Sequence, residues 1–343
     1  MKARIWMAVV TIAALISAPL SYAADDKIGI FETVHESSVS FAETTAALEA
    51  AFGQSALLLH GSHDIRVPEG KHQAKVYVLT SPEYAAAANA ESPRTISAQV
   101  LRIAVYTQGE EQKTYINMAN PVAHAMVFYA NSPNYDILVD AARAVATEVR
   151  QLVAAVPGKA LSEQQKPLRK EKHYRKFKGD GPARMMAKFR TFKKSQLLIR
   201  EGSADDFDAI VEEVVAAIEN SDVAGADDSY GWERVSTIRL RDNAVYIGLT
   251  NPYIENRMIS INSRFRSEGK SDASPYPGVD HVAALPTEVL IVREAGDTQV
   301  LHYGQMWRMQ LYFWDSGYRA FTANVGVPSN IAKSIKEMIR VER

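Results

Sequence analysis

Residues 76–82 read VYVLTSP, and residues 245–252 repeat this stretch as VYIGLTNP. Each copy is followed by a second apolar run, which is QVLRIAV at residues 99–105 and EVLIV at residues 288–292. A turn containing Gly109 or Gly296 then follows. Self-similarity along a chain is the signature of a repeated structural unit. We therefore predict two duplicated lobes, with a ligand or partner site between them.

The two halves also share the order of their other elements. Ser40 and Ser203 each precede a helix with one apolar face, as helix-capping residues do. Alternating apolar runs before and after each helix predict strands, one of which covers residues 96–107, and the Gly109 and Gly296 turns predict hairpins. The sequence thus predicts an α+β fold of two tandem β-α-β-β-(α)-β-β-α repeats. Each repeat is expected to form a curved antiparallel sheet backed by helices, and the two to form a pseudo-twofold pair.

The N-terminus has the pattern of a secretory signal peptide. Lys2 and Arg4 precede an apolar run at residues 5–18, and small residues lead up to Ala23. We predict cleavage after Ala23, a periplasmic location, and no transmembrane segment in the mature chain. The predicted division is a signal peptide at 1–23, a first repeat at 24–157, a basic linker at 158–194 and a second repeat at 195–343.

Composition and missing motifs exclude several classes of function. The chain has 343 residues, a formal net charge of −1 and no cysteine. Disulfides, thiol catalysis, Cys-ligated zinc and covalently attached c-type haem are therefore excluded. We find no G-x-G-x-x-G after a strand, no P-loop, no H-E-x-x-H and no G-x-S-x-G. The sequence predicts no catalytic residue and no nucleic-acid partner, and we expect a binding or scaffold protein ahead of a hydrolase with scattered catalytic groups.

Residues 40–121 resemble the bacterial family known as domain of unknown function 302. The similar elements are the helix FAETTAAL at 41–48, the strand ending in TSP at 80–82, and RIAVY at 102–106 leading to TYINMANP at 114–121. The second half is similar through LTNP at 249–252 and VLIV at 289–292. The resemblance implies a tandem duplication, a fold similar to that of the TATA-binding protein, and a single-chain pseudodimer. It implies no catalytic residues, and fold alone does not assign function.

Histidines cluster around one predicted strand and turn. His60, His63 and His72, with Asp64 nearby, are residue types that bind zinc or copper. His60 and His63 are three apart, so a regular strand places them on opposite faces. The alternatives are a metal site formed by a turn at Gly61, and histidines exposed on a turn.

An aromatic and methionine-rich segment at residues 303–318 provides a second candidate site. It contains Tyr303, Met306, Trp307 and Trp314, and its counterpart in the first half contains His124 and Met126. Aromatic stripes at helical spacing usually form a core or an interface. The alternative is an apolar ligand pocket or a haem crevice, with His124 or a methionine as an axial ligand. The cofactor is left open between haem, a transition metal and none, and the runner-up function is a periplasmic redox protein.

The predicted linker is strongly basic. Residues 159–194 hold thirteen lysines and arginines against three acidic residues. One interpretation is contact with an anionic surface, and the other is a solvated segment docked on more acidic lobes. Aromatic residues such as Tyr174 predict that part of it is a helix packed on a lobe. Apart from an anionic surface, we expect the partner of this protein to be a small molecule or a protein in the periplasm.

Overall fold

The computed structural model describes residues 27–67, 72–176, 196–221, 231–261, 278–303, 305–313 and 322–339. The predicted signal peptide and residues 177–194 of the predicted linker lie outside these residues. Two larger antiparallel sheets, each with helices packed on it, make up the described part of the chain. The first lobe, as described, spans residues 27–176 and the second spans residues 196–339.

The first lobe contains eight strands and five α-helices among its described residues. The strands are β1 (Lys27–Ile28), β2 (Phe31–Ser37), β3 (Leu58–Asp64), β4 (Ala74–Thr80), β5 (Val100–Gln108), β6 (Lys113–Ala119), β7 (Gly158–Gln164) and β8 (Arg169–Lys170). The helices are α1 (Phe41–Phe52), α2 (Pro82–Ala87), α3 (Pro121–Phe128), α4 (Tyr135–Val153) and α5 (Glu171–Lys176).

The second lobe has a similar order of elements, with fewer strands and helices among its described residues. Its described strands are β9 (Gln196–Ser203), β10 (Glu233–Arg241), β11 (Ala244–Thr250), β12 (Thr287–Glu294) and β13 (Asp297–Tyr303). Its described helices are α6 (Phe207–Glu219), α7 (Pro252–Ile259), α8 (Gln305–Tyr312) and α9 (Val327–Ile339).

The strand order of the two sheets is the same. The first sheet runs β3-β4-β5-β6-β2, with β7 added at its edge, and the second runs β10-β11-β12-β13-β9. All neighbouring strands are antiparallel. The predicted α+β class is confirmed. The equivalent hairpins turn at Gly109 and Gly296, whose φ angles of +79° and +93° suit glycine.

Local sequence explains where the first helix of the first repeat begins. The Ser40 side chain accepts a hydrogen bond from the Glu43 amide, and the Glu43 carboxylate accepts one from the Ser40 amide. This capping box satisfies amide groups that have no partner inside the helix. Thr44, Leu48 and Phe52 then form the buried face that packs α1 on the first sheet.

Two short 3₁₀ helices cross between the lobes. The first arm (Pro93–Gln99) packs on β11 and β12 of the second sheet, and the second arm (Val279–Ala284) packs on β4, β5 and β6 of the first sheet. Residues 96–99, expected as the start of a strand, belong to the first arm, because Pro93 favours a helical start and the arm is buried against the other lobe. The exchange of arms joins the lobes.

The lobes also meet at the edge strands β3 and β10. Gly61 lies so close to β10 that a Cβ atom added to it would come within 2.0 Å of the Val235 carbonyl oxygen. A side chain at this position would separate the two edges.

The beginning of the predicted linker differs from the expectation of a solvated segment. Residues 158–164 form β7, which pairs with β2 along the edge of the first sheet. β8 pairs with β1, and Tyr174 of α5 is fully buried with its hydroxyl donating to the Ile28 carbonyl at 3.0 Å. Arg169 is also buried. The first lobe therefore extends through residue 176.

No helix in the described ranges combines the length and the apolar composition that a bilayer crossing requires.

Candidate functional site

A buried arginine of the first sheet, Arg102, points to the second arm. Tyr77 of β4 points at α1, where its ring lies 5.2 Å from Phe52 and its hydroxyl donates to Glu49 at 2.8 Å. Because strand side chains alternate, Val78 points to the opposite face. Arg102 of β5 is the ladder partner of Val78 and shares that face. Its guanidinium donates to the Ala284 carbonyl of the second arm at 3.2 Å.

Arg102 belongs to a buried inter-lobe cluster. This cluster consists of Arg102 and His124 from the first lobe and Glu288, Arg308 and Tyr312 from the second. Arg102 Nη2 donates to His124 Nε2 at 2.8 Å and also to the Tyr312 hydroxyl. Arg308 donates to Glu288 and to the carbonyls of Ala284 and Pro286. Both guanidinium groups therefore bind the Ala284 carbonyl.

The cluster is built from equivalent positions of the two repeats. Glu288 pairs with Gly248 in the second sheet as Arg102 pairs with Val78 in the first. His124 and Arg308 are each the fourth residue of the helix that follows the equivalent hairpin, α3 or α8. The pair Arg102–His124 thus corresponds to the pair Glu288–Arg308. The four equivalent positions of the two halves, which hold two arginines, a histidine and a glutamate, thus meet in one cluster.

Tyr312 lies between the two guanidinium groups. The Cζ atoms of Arg102 and Arg308 are 4.9 Å and 5.1 Å from the centre of its ring. Phe31 of the first lobe stacks on the same ring at 5.9 Å. Cations over an aromatic face are attracted by its quadrupole, and this attraction grows where water is excluded. Tyr312 therefore connects charges of both lobes.

The hydrogen bonds of His124 determine its tautomer. Arginine can only donate, so His124 Nε2 must accept from Arg102. His124 Nδ1 then carries the proton and donates to the Asn120 carbonyl at 2.8 Å. Burial, and then the positive charge of Arg102, lowers the pKa of His124 from 6.5 to about 3. The imidazole is neutral, and both of its nitrogens are already used, so haem ligation by His124 requires breaking one of these bonds.

The sequence did not predict the members of this cluster other than His124, namely Arg102, Glu288, Arg308 and Tyr312. The available signal was a charged residue inside an apolar strand, as Arg102 is in QVLRIAV, at the position that Glu288 takes in the other repeat. Charged residues are rarely buried without a partner. An alignment of the two halves places Arg102 and Glu288 at equivalent positions of two apolar strands.

The aromatic residues predicted as ligand-binding pack in the inter-lobe core. Tyr303 stacks on Trp307 at 5.0 Å, and both contact Phe128 of the first lobe. The Tyr303 hydroxyl donates to the Arg94 carbonyl of the first arm at 2.8 Å, and Met126 of α3 is buried. The Met306 side chain and Trp314 lie outside the described residues.

The histidines predicted as metal ligands have other contacts. His60 Nε2 is 2.8 Å from the Thr80 hydroxyl, and His63 Nε2 is 2.8 Å from the Glu255 carboxylate of the second lobe. His72 is buried at the start of the segment leading to β4. Within the residues that can be described, no three His, Asp or Glu side chains are placed to hold a metal ion.

Glu255 instead forms a second polar contact between the lobes. It is fully buried on α7 and accepts from His63, from the Thr250 hydroxyl at 2.9 Å and from the Arg66 amide at 2.9 Å. Burial by itself raises its pKa, but these hydrogen bonds outweigh burial and hold the pKa of Glu255 below 4.5. The carboxylate therefore links α7 to β3 and to the residues just after it.

An apolar cleft lies in the second lobe next to these contacts. It holds about 50 Å³ of free space between α7, α8 and α9. Eight lining side chains are apolar, namely Ile254, Met258, Ile261, Met309, Phe313, Val327, Pro328 and Ile331, and three are polar, namely Arg257, Arg308 and Asn324. His124, Met126, Tyr303 and Trp307 are not among the lining residues. The cleft has the mostly apolar lining of small-molecule sites.

Comparison with known proteins adds little. No family model matches the chain. No curated protein matches it. Part of the chain is structurally similar to an uncharacterised conserved DUF302 protein from Bacillus stearothermophilus, whose crystal structure is known. The match has 17% sequence identity and a TM-score of 0.31, and it covers 37% of this chain and 98% of that chain.

Proposed function

We propose that the chain is a non-enzymatic binding protein that holds a small apolar molecule in the cleft of the second lobe. The observation that carries this proposal is the lining of the cleft, in which eight of eleven side chains are apolar. Small-molecule sites are mostly apolar with a few polar groups. The inter-lobe seam is filled by packed aromatic and charged side chains, so we place the ligand beside the seam and not within it.

Two walls of the cleft are held by the first lobe. α7 is held through Glu255, which bonds to His63, and α8 is held through Tyr312, whose hydroxyl accepts a hydrogen bond from Arg102. A site whose walls are held in place loses less entropy when a ligand binds. The duplicated architecture would thus serve to preorganise one cleft.

Binding can be tested with N-phenyl-1-naphthylamine, a neutral probe that fluoresces in apolar surroundings, and with dodecanol as a competitor. The variant Val327→Trp puts an indole at the first residue of α9, where it fills the cleft. Ile137→Trp is the matched control, because Ile137 is an exposed aliphatic side chain of α4 in the other lobe. We expect Val327→Trp to weaken probe binding about tenfold or more, and Ile137→Trp to leave it unchanged. Equal binding by both variants, or no probe binding by the wild-type protein, contradicts the proposal.

We further propose that the protein acts in the periplasm. The support is the charged, apolar and small-residue pattern of residues 1–23, which lie outside the described residues. The mass of the protein from a periplasmic extract should correspond to a chain that begins at Ala24. A mass that includes residues 1–23 contradicts the predicted cleavage.

A further inference from the structure

The outer edge of the first sheet is open in the part of the chain that the structure describes. The sheet ends on one side with β3, which lies against β10 of the second lobe, and on the other side with β7. Five of the seven residues of β7 are exposed. The open edge of a strand carries unpaired amide and carbonyl groups, with which another strand can pair.

The backbone of β7 presents hydrogen-bonding groups on this open edge. At one end of β7 the Pro157 carbonyl accepts from the Ser38 amide at 3.1 Å. At the other end the Gln165 amide donates to the Phe31 carbonyl at 2.9 Å. These odd-numbered residues therefore direct their backbone groups to β2 and its flanking residues. Because the direction alternates along a strand, the even-numbered residues of 158–164 direct theirs to the open side.

The charged side chains of β7 lie together on one face of the sheet. Ser162 and Gln164 both donate to Glu32, which also binds α4. Since side chains alternate between the two faces of a strand, Lys159 and Glu163 share the opposite face. Both are exposed, and neither forms an ion pair with another residue that the structure describes. Their charges are available to a strand that pairs with this edge.

The sequence of β7, GKALSEQ, is complementary to itself in charge. When two copies of β7 pair antiparallel with their Leu161 residues opposite each other, Lys159 of each copy lies opposite Glu163 of the other. Moving the centre by one residue, to Ala160 or to Ser162, leaves both charges without an opposite charge.

The backbone favours the same register. When the two strands are centred on Leu161, their even-numbered residues exchange hydrogen bonds across the edge. Lys159 and Glu163 then occupy non-hydrogen-bonded pairs, in which the side chains of two strands are closest. Charge and backbone direction therefore agree on one partner, which is a second copy of this chain.

We propose that β7 is the interface of a homodimer, in which two first sheets join edge to edge about a twofold axis. The pairing uses the open β7 edge of both copies, so it closes at two molecules. A strand of seven residues buries little surface, so we expect dimer and monomer to be in equilibrium at roughly 10–100 µM protein. This inference is independent of the ligand proposed above, because the cleft lies in the other lobe.

The test is sedimentation velocity of the purified protein at concentrations from about 1 to about 500 µM. Lys159→Glu and Glu163→Lys each place two pairs of like charges in the interface and should raise the dissociation constant about tenfold or more. The double variant Lys159→Glu/Glu163→Lys restores both opposite pairs and should dimerise like the wild type. An equimolar mixture of the two single variants should form a heterodimer, because each strand then carries one sign of charge.

Matched controls make the same charge changes elsewhere. Lys336→Glu and Glu212→Lys alter exposed residues of α9 and α6 and should leave the dissociation constant unchanged. Ala160→Pro tests the backbone pairing, because it removes an amide from the open side of β7 and proline is tolerated on such an edge. It should abolish the dimer while the circular dichroism spectrum of the protein stays the same. Higher salt should weaken the wild-type dimer, because the paired charges are exposed.

Each other outcome overturns a stated part of the proposal. A wild-type protein that stays monomeric at about 500 µM overturns the dimer itself, even if a different strand binds to β7. A dimer that both single variants leave unchanged overturns the placement of the interface. Failure of both the double variant and the mixture to dimerise overturns the register centred on Leu161. A folded Ala160→Pro protein that dimerises like the wild type overturns the backbone pairing.

Discussion

Lowering the pH from 8 to 5 should destabilise the protein through two buried histidines. Burial lowers the pKa of His124 to about 3 and that of His302 to about 4. In His302, Nδ1 donates to the Glu288 carbonyl at 2.9 Å, and Arg308 adds a repelling charge. Neither ring can accept a proton without placing a positive charge beside a buried guanidinium.

The sign of the effect follows from linkage. An unfolded histidine with a pKa of 6.5 binds a proton in the range where the folded residue stays neutral. Protonation therefore favours the unfolded chain as the pH falls. The stabilising contribution is complete above about pH 7, and it is lost progressively as the pH falls from 6.5 toward the folded pKa values.

The magnitude follows from the same pKa values. At pH 5 the unfolded residues are almost fully protonated, and the folded ones are still neutral. Each histidine then costs about 2 kcal/mol relative to pH 8, or about 4 kcal/mol for the pair. Domains are typically stable by about 5–15 kcal/mol, so this loss is easily measured. His60, whose pKa is lowered by burial, acts in the same direction.

The assay is urea unfolding followed by circular dichroism at pH 8 and pH 5, at constant ionic strength. His124→Gln removes one titrating group and should reduce the loss between the two pH values by about 2 kcal/mol. Gln151→Ala is the control, because Gln151 is exposed on α4, carries no titrating group and should leave the loss unchanged. Equal stability of the wild-type protein at both pH values refutes the reasoning, as does an unchanged loss in His124→Gln. A ring-proton NMR titration of His124 with a midpoint near 6.5 does so directly.

Two further variants test the contacts between the lobes by the same unfolding assay. Glu255→Ala leaves the partners of a fully buried carboxylate unpaired and should cost about 3 kcal/mol, whereas Glu213→Ala removes a half-exposed partner of Arg200 and should cost less than about 1 kcal/mol. Similar losses in both variants argue against the role of Glu255. Gly61→Ala puts a methyl group 2.0 Å from a β10 carbonyl oxygen and should cost about 3 kcal/mol or more, whereas Gly53→Ala meets no atom closer than 3.5 Å and should be nearly neutral. A Gly61→Ala protein as stable as the wild type shows that the two edges do not meet this closely.

Much of the secondary structure could be predicted because its signals are local. The Ser40 capping box and the apolar stripe of α6 both act within a few turns of one helix. The strands around VYVLTSP and VYIGLTNP are apolar on both faces, and the structure covers both faces, one with helices and the other with an arm. Hairpins at Gly109 and Gly296 follow from turn chemistry.

The predictions failed or fell short where a distant contact determines the outcome. Residues 96–99 look like the start of a strand but form part of the first arm, because the second sheet buries them. Residues 158–164 were predicted to belong to a solvated linker. They form β7 instead, which pairs with the edge of β2. The contact of His63 with Glu255, which lies 192 residues away in the chain, could not be predicted from the sequence.

The pattern of apolar residues and turns was enough to predict an α+β chain whose two halves have the same order of elements. Hydrophobic periodicity and capping depend on near neighbours in sequence, so they can be recognised there. The exchanged arms, the Arg102–His124–Glu288–Arg308 cluster and the cleft were decided only when the lobes packed together. Each depends on side chains that are far apart in the chain and come within hydrogen-bonding or van der Waals distance through the packing of the lobes. Local periodicity does not predict such contacts, because they are stabilised by burial and charge pairing across the interface between the lobes.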